Sequence, residues 1–131
     1  KMPYEIFWYI EPHILEVKYY GAVTVDDLRA ARGEISDIVS AQSHDVYLLI
    51  TLGEKTKLPW DFRATRNIFS NPPPNLGLSF IILGSNTSFR IFFDTVGRVL
   101  RANGRVVKDR ETALRMLREH SPALKELLDK Q

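Results

Sequence analysis

The chain has 131 residues, 44% hydrophobic and 26% charged, with a formal net charge of +2, which suits one globular domain spanning residues 1–131. It contains no cysteine, which excludes disulfides, thiol nucleophiles and thiolate metal sites. No apolar run approaches the ~18 residues of a membrane span, so we expect a soluble, cytoplasmic protein without a membrane-spanning segment.

The first twenty residues predict a β-hairpin, because residues 4–10 and 14–20 are rich in aromatic and β-branched side chains around a short connection. Alternation along the first strand places Tyr4, Ile6, Trp8 and Ile10 on one side and Phe7 and Tyr9 on the other. Both sides of this strand are therefore apolar, and each must pack against something that shields it from water. Core packing, the C-terminal helix, a second subunit or a bound apolar ligand would each provide this shielding.

A helix and a buried strand follow the hairpin. Thr24 and Asp27 have the spacing of a capping box, and a helix is predicted over 25–41. One helical face carries Leu28, Ala31, Ile35, Ile38 and Val39. Residues 46–52 (VYLLITL) form a nearly unbroken apolar run, which is typical of a strand buried on both faces.

The second half alternates between loops, helices and strands. We expect a loop at 53–59, a short helix at 60–70 that ends before Pro72, and a second buried strand at 78–83. The next predicted helix has an inner stripe of Phe89, Phe92, Phe93, Val96 and Leu100. A short strand at 105–108 precedes two helices that begin at Asp109 and at Ser121–Pro122.

This order of elements defines the expected fold class. Strands that alternate with helices pair in parallel through right-handed crossovers, whereas the hairpin contributes one antiparallel pair. We therefore predict an α/β fold with a mixed five-stranded sheet and flanking helices.

The N-terminal hairpin, the capped helix, the strand VYLLITL, the second buried strand and the late strand followed by DRETALRML resemble the STAS domain. The resemblance covers residues 3–120 and is greatest to the sporulation anti-sigma-factor antagonist, whose fold is likened to a lipid-carrier domain. It implies a non-catalytic signalling module that binds proteins. In phosphorylated members an Asp-Ser pair follows the matching strand, but residues 51–57 read TLGEKTK here and offer only Thr51 and Thr56 as hydroxyls. The resemblance thus implies partner binding without the usual switch.

Candidate binding residues are expected where the carboxyl ends of parallel strands meet. They are Gly53, Lys55, Thr56, Lys57, Trp60, Arg63, Ser85, Thr87 and Ser88. Trp60 is a candidate anchor for recognition, although packing on the sheet is the commoner fate of a residue at the start of a helix. The hydroxyls of Ser85, Thr87 and Ser88 could help a helix N-terminus to hold an anion, or they could simply cap that helix.

Other kinds of chemistry find little support in the sequence. His13, His44 and His120 lack metal-binding spacing, and there is no hydrolase, nucleotide or dinucleotide motif, so we expect no metal site, no cofactor and no enzyme. Residues 1–62 carry six basic and ten acidic side chains, and residues 63–131 carry twelve and six. This asymmetry suits either an acidic partner or solvated helix faces. The arginines of the second half could serve a nucleic-acid surface only if they shared one face, and we do not expect one.

Two functions remain as hypotheses. The first is a STAS-like module that binds a protein partner, or a second copy of itself, through residues 53–60 and the helix that follows. The second is a carrier of a small apolar ligand or lipid, with a pocket among Trp8, Phe62, Phe69 and Phe92.

Overall fold

The computed structural model describes residues 3–85, 89–90 and 104–131. The elements in these ranges are β1 (Tyr4–Ile10), β2 (Ile14–Tyr19), α1 (Val25–Ser40), β3 (Val46–Leu52), α2 (Phe62–Ile68), β4 (Leu76–Ile82), β5 (Gly104–Val107), α3 (Arg110–His120) and α4 (Pro122–Asp129). One sheet has the order β1-β2-β3-β4-β5, with β1 antiparallel to β2 and every other neighbouring pair parallel. The predicted α/β class and mixed five-stranded sheet are confirmed. Apart from Phe89 and Arg90, the helix predicted from Phe89 to Leu100 lies outside the described residues.

Two hydrophobic cores lie on opposite faces of the sheet. Val46 and Leu48 of β3 belong to the core that contains the apolar stripe of α1. Tyr47 and Leu49 belong to the core beneath α3 and α4. Strand β3 is therefore buried on both faces, as its unbroken apolar sequence predicts.

Helix boundaries follow local capping chemistry. The Thr24 hydroxyl accepts from the Asp27 backbone N–H, and the Asp27 carboxylate accepts from the Thr24 N–H, which completes the predicted capping box. The side chains of Asp109 and Ser121 cap α3 and α4 by accepting from the backbone N–H groups of Thr112 and Leu124, and a proline occupies the first turn of α4.

Three details differ from the sequence predictions. Helix α2 begins at Phe62 rather than at Trp60, because the Asp61 carboxylate accepts from the Ala64 N–H at 3.0 Å and starts the helix there. Strand β4 begins at Leu76, two residues early, where it pairs with β3. Ile10 packs on the same face as Tyr9 instead of with Trp8, because the strand register shifts between Trp8 and Ile10.

No helix within the described ranges combines the length and the apolar character needed to cross a membrane.

Candidate functional site

The loops after β2 and β3 are joined at the carboxyl edge of the sheet. The Lys57 N–H donates to the Gly21 carbonyl at 2.7 Å, and the Val23 N–H donates to the Lys57 carbonyl at 2.8 Å. Gly21 has a φ of +57°, a backbone conformation that favours glycine. The candidate residues at 53–60 are therefore held against the β2–α1 connection by backbone hydrogen bonds.

Thr56 and Gly53 fix the inner side of this loop. Thr56 is 3% exposed, and its hydroxyl donates to the Tyr19 carbonyl at 3.0 Å. The Gly53 N–H donates to the same carbonyl at 3.1 Å. A Cβ at Gly53 would stand only 3.3 Å from the Thr56 Oγ1, so the close approach suits glycine.

The hydroxyls of Thr51 and Thr56 are both hydrogen-bonded within the fold. The Thr51 hydroxyl donates to the Glu16 carboxylate at 3.0 Å, and the Thr56 hydroxyl is bonded as described above. Both side chains are buried. A phosphate on either hydroxyl would require the surrounding backbone to move.

An open cleft of about 660 Å³ lies beside the loop. It is lined by Glu54, Lys55, Thr56, Lys57, Leu58, Trp60 and Phe89. Four of the predicted site residues, Lys55, Thr56, Lys57 and Trp60, are thus brought together on one cleft. Its walls combine two exposed ammonium groups with two aromatic rings.

Trp60 and Phe62 place unusual apolar area on the surface next to the cleft. Trp60 is 59% exposed and Phe62 is 39% exposed, and their rings meet edge to face with centroids 5.8 Å apart. Tyr20, another exposed large aromatic residue, lies beside Gly53. The expected alternative for Trp60, packing on the sheet as part of the helix, is wrong because the residue precedes α2 and faces solvent.

Charge near the aromatic pair is mainly positive. Exposed cations are present at Lys55, Lys57, Arg63 and Arg66. Glu54 and Asp61 are the exposed acids in the same stretch, and the carboxylate of Asp61 caps α2. This combination of aromatic rings and cations complements an apolar side chain flanked by carboxylates.

Of the candidate residues Ser85, Thr87 and Ser88, the structure describes only Ser85, which does not line the cleft. Ser85 is exposed in the turn that follows Gly84, while Thr87 and Ser88 lie outside the described residues. The proposed ligand pocket among Trp8, Phe62, Phe69 and Phe92 is not the cleft found here. Trp8 packs on the α1 core and Phe62 contacts Trp60, whereas Phe92 lies outside the described residues.

Sequence analysis missed a buried ion pair on the face that carries α3. The Glu16 carboxylate is 2% exposed and accepts two hydrogen bonds from the Arg110 guanidinium, at 2.7 and 2.9 Å. The same guanidinium lies 5.1 Å from the centre of the Tyr9 ring. These hydrogen bonds raise the pKa of Arg110 above its ordinary value. The available sequence signal was the Glu16 carboxylate between the apolar residues Leu15 and Val17 of β2.

A pair of histidines, His13 and His44, also comes together, although they are 31 positions apart in the sequence. The rings of His13 and His44 are 4.9 Å apart at the amino ends of the parallel strands. Burial, and secondly the charge of His44, lowers the pKa of His13 below 6.5. Across the residues that the structure describes, no three His, Asp or Glu side chains form a group able to hold a metal ion.

No protein-family model matches the chain, and no curated protein matches it.

Proposed function

We propose that this chain is a non-catalytic, STAS-like interaction module that binds a protein segment through the cleft and its aromatic pair. The observation that carries the proposal is the exposure of Trp60 beside Phe62, because aromatic side chains of this kind dominate binding at protein interfaces. Support for the STAS-like character comes from the N-terminal hairpin followed by alternating helices and parallel strands. This part of the proposal rests on fold analogy.

The partner that fits this site is a peptide segment with acidic side chains next to an apolar one. Its apolar side chain would pack on the Trp60 and Phe62 rings, and its carboxylates would face Lys55, Lys57 and Arg63. The loop is already held by backbone bonds from Lys57 to the β2–α1 connection, so docking needs little rearrangement. Recognition would therefore be independent of a phosphorylation switch at Thr51 or Thr56.

Selection from a random peptide library tests this proposal directly. The protein is expected to enrich peptides that combine acidic and large apolar residues, with affinities that fall as salt rises. For a selected peptide, Trp60→Ala should weaken binding by roughly thirtyfold, as expected for an anchor worth about 2 kcal/mol. Titration calorimetry would measure both effects.

Removal of one cation provides a matched comparison. Lys55→Ala should weaken peptide binding and reduce its salt dependence, whereas Arg115→Ala removes an exposed cation on α3 and should change neither. Equal binding by Trp60→Ala and the unmodified protein would refute the proposal. Native mass spectrometry supplies the other decisive outcome, since a retained lipid-sized adduct would favour the carrier hypothesis instead.

A further inference from the structure

Strand β1 forms one edge of the sheet. In the described part of the chain it lies at the end of the sheet and pairs only with β2. Its central residues Ile6, Phe7, Trp8 and Tyr9 are half-buried and apolar. Edge strands usually carry lysine, proline, bulges or inward-pointing charges that discourage pairing. In β1 the register shift lies at one end, between Trp8 and Ile10, whereas Tyr4 to Trp8 pair regularly with β2 and contain Glu5 as their one charged residue.

Backbone hydrogen bonding decides which groups face this free edge. The Tyr20 N–H donates to the Pro3 carbonyl at 2.7 Å, so Pro3 and Tyr20 form a hydrogen-bonded pair of the antiparallel ladder. Because such pairs alternate, Glu5 and Phe7 point their backbone groups toward β2. The N–H and C=O groups of Ile6 and Trp8 therefore point away from the sheet.

We propose that two copies of this chain associate through antiparallel pairing of their β1 strands about a two-fold axis at Phe7. In this register Ile6 of each copy lies opposite Trp8 of the other, so their outward N–H and C=O groups bond each other. The two sheets become one continuous sheet. This surface is separate from the cleft and goes beyond the peptide-binding function.

Charge complementarity favours this register over those centred on Glu5 and Ile6. Pairing about Phe7 sets Glu5 opposite Tyr9 of the second copy, and the Arg110 guanidinium lies 5.1 Å from the Tyr9 ring centre. The side chains of Glu5 and Tyr9 project from the same face of the sheet, so the exposed carboxylate meets the guanidinium. A register centred on Glu5 would instead oppose two carboxylates, and one centred on Ile6 would place Glu5 against Phe7.

The pairing is tested first by mass and by amide exchange. Sedimentation should give twice the chain mass of 15.1 kDa at high concentration, with dissociation on dilution and on addition of salt. In residue-resolved hydrogen exchange, the Ile6 and Trp8 amides should become protected as the dimer forms. The Glu5 and Phe7 amides serve as internal controls because β2 protects them in either state.

Substitutions on the strand test the register. Glu5→Arg places cations against Arg110 of the second copy, and Phe7→Lys places two ammonium groups opposite each other. Each should weaken dimerisation by at least about tenfold, which corresponds to 1.4 kcal/mol. Glu5 is exposed, so its substitution leaves the core intact. Phe62→Lys is the matched control and should leave the dimer unchanged while it reduces peptide binding.

Several outcomes would overturn the pairing. They are a monomer at all concentrations, a dimer whose Ile6 and Trp8 amides still exchange freely, and a dimer insensitive to both Glu5→Arg and Phe7→Lys. Protection of these amides only on addition of a peptide would assign the edge to another partner and would also contradict self-pairing. Because Phe7→Lys should spare peptide binding and Phe62→Lys should spare the dimer, failure of one proposal is distinguishable from failure of the other.

Discussion

Glu16 is the one acidic or basic side chain that is buried among the residues the structure describes. A buried carboxylate is costly unless charged and neutral donors replace its lost water. Arg110 supplies two charge-assisted hydrogen bonds, and the Thr51 hydroxyl supplies a third at 3.0 Å. The pair links the middle of β2 to the first turn of α3, which are 94 positions apart along the chain.

Arg110→Met should therefore destabilise the protein strongly. It leaves the Glu16 carboxylate buried with Thr51 as its remaining side-chain donor, and we expect a loss of about 2 kcal/mol. This lies below the ~3–5 kcal/mol of fully buried pairs because the Arg110 side chain is 39% exposed. Urea unfolding at low protein concentration would measure it. The double variant Glu16→Leu with Arg110→Met should recover much of the lost stability. An Arg110→Met protein whose stability lies within about 0.5 kcal/mol of the parent, the usual effect of a surface substitution, would contradict the role of the ion pair.

Sequence could predict Trp60 as a candidate anchor but could not predict the Glu16 pair. The position of Trp60 after a loop and Pro59 made it a candidate anchor, but the predicted helix at 60–70 included it, and packing on the sheet was the commoner expectation for that position. Both the helix start and the packing were wrong, because Trp60 precedes α2 and is exposed. The partner of Glu16 depends on the crossover that brings α3 back over the sheet. Such a long-range contact leaves no periodic trace in the sequence.

Asn75 shows how a single side chain sets the limits of two elements. Its Nδ2 group donates to the carbonyls of Val39, Gln42 and His44 at 2.7, 3.3 and 3.0 Å. The backbone carbonyl of Asn75 accepts from the Val46 N–H at 2.9 Å. Asn75 thus satisfies carbonyls at the end of α1 and joins the start of β3 to the start of β4.

Substitution of Asn75 should separate the role of the amide from that of its size. Asn75→Ala removes the donor and should cost about 1–2 kcal/mol, because partly buried carbonyls lose their partner. Asn75→Asp keeps the shape but turns acceptor oxygens toward three carbonyls, so it should cost more than Asn75→Ala. Thermal and urea unfolding of the two variants would compare them. If Asn75→Asp were as stable as the parent, the assignment of the amide as the donor to these carbonyls would be wrong.

The elements with strong periodicity were predicted almost completely. The five-residue apolar stripe of α1 identifies it as a helix, and the unbroken apolar run of β3 identifies it as a buried strand. The predicted ends of both elements lie within one residue of the observed ones. The early start of β4 was missed because residues 74–77 lack apolar periodicity. Leu76 and Gly77 belong to the strand, and Asn75 just before them accepts a hydrogen bond from Val46 at the start of β3. The shift of Ile10 was missed because a local bulge changes the alternation of side chains, and sequence alone does not mark it.

At the scale of the whole molecule, the sheet separates three surfaces with different chemistry. Its carboxyl edge carries the cleft and Trp60, its β1 edge carries the outward backbone groups of Ile6 and Trp8, and its amino edge carries the His13–His44 pair. The His13 carbonyl also accepts from the Tyr47 N–H at 2.9 Å, which ties the hairpin to β3. Protonation of His13 is therefore expected to change the stability of the whole fold, because His13 lies where the hairpin is bonded to β3.

The stability of the whole fold should fall as the pH is lowered from 7.5 to 5.5, in part because of His13. Burial and the neighbouring His44 hold the pKa of His13 below its ordinary 6.5 in the folded state. The unfolded chain thus takes up this proton first, and stability is lost as the pH falls below about 6.5 toward the lowered pKa. His13→Gln should remove this contribution, which can reach about 1.4 kcal/mol per pH unit for one proton. His44→Gln should remove less of this contribution, because burial is the larger cause of the lowered pKa of His13 and persists in that variant.

Urea unfolding across this pH range would measure the slope of stability against pH for each variant, and NMR titration of the His13 ring would check its pKa directly. A His13 pKa at or above 6.5, or an unchanged slope in His13→Gln, would show that this residue does not couple the fold to pH.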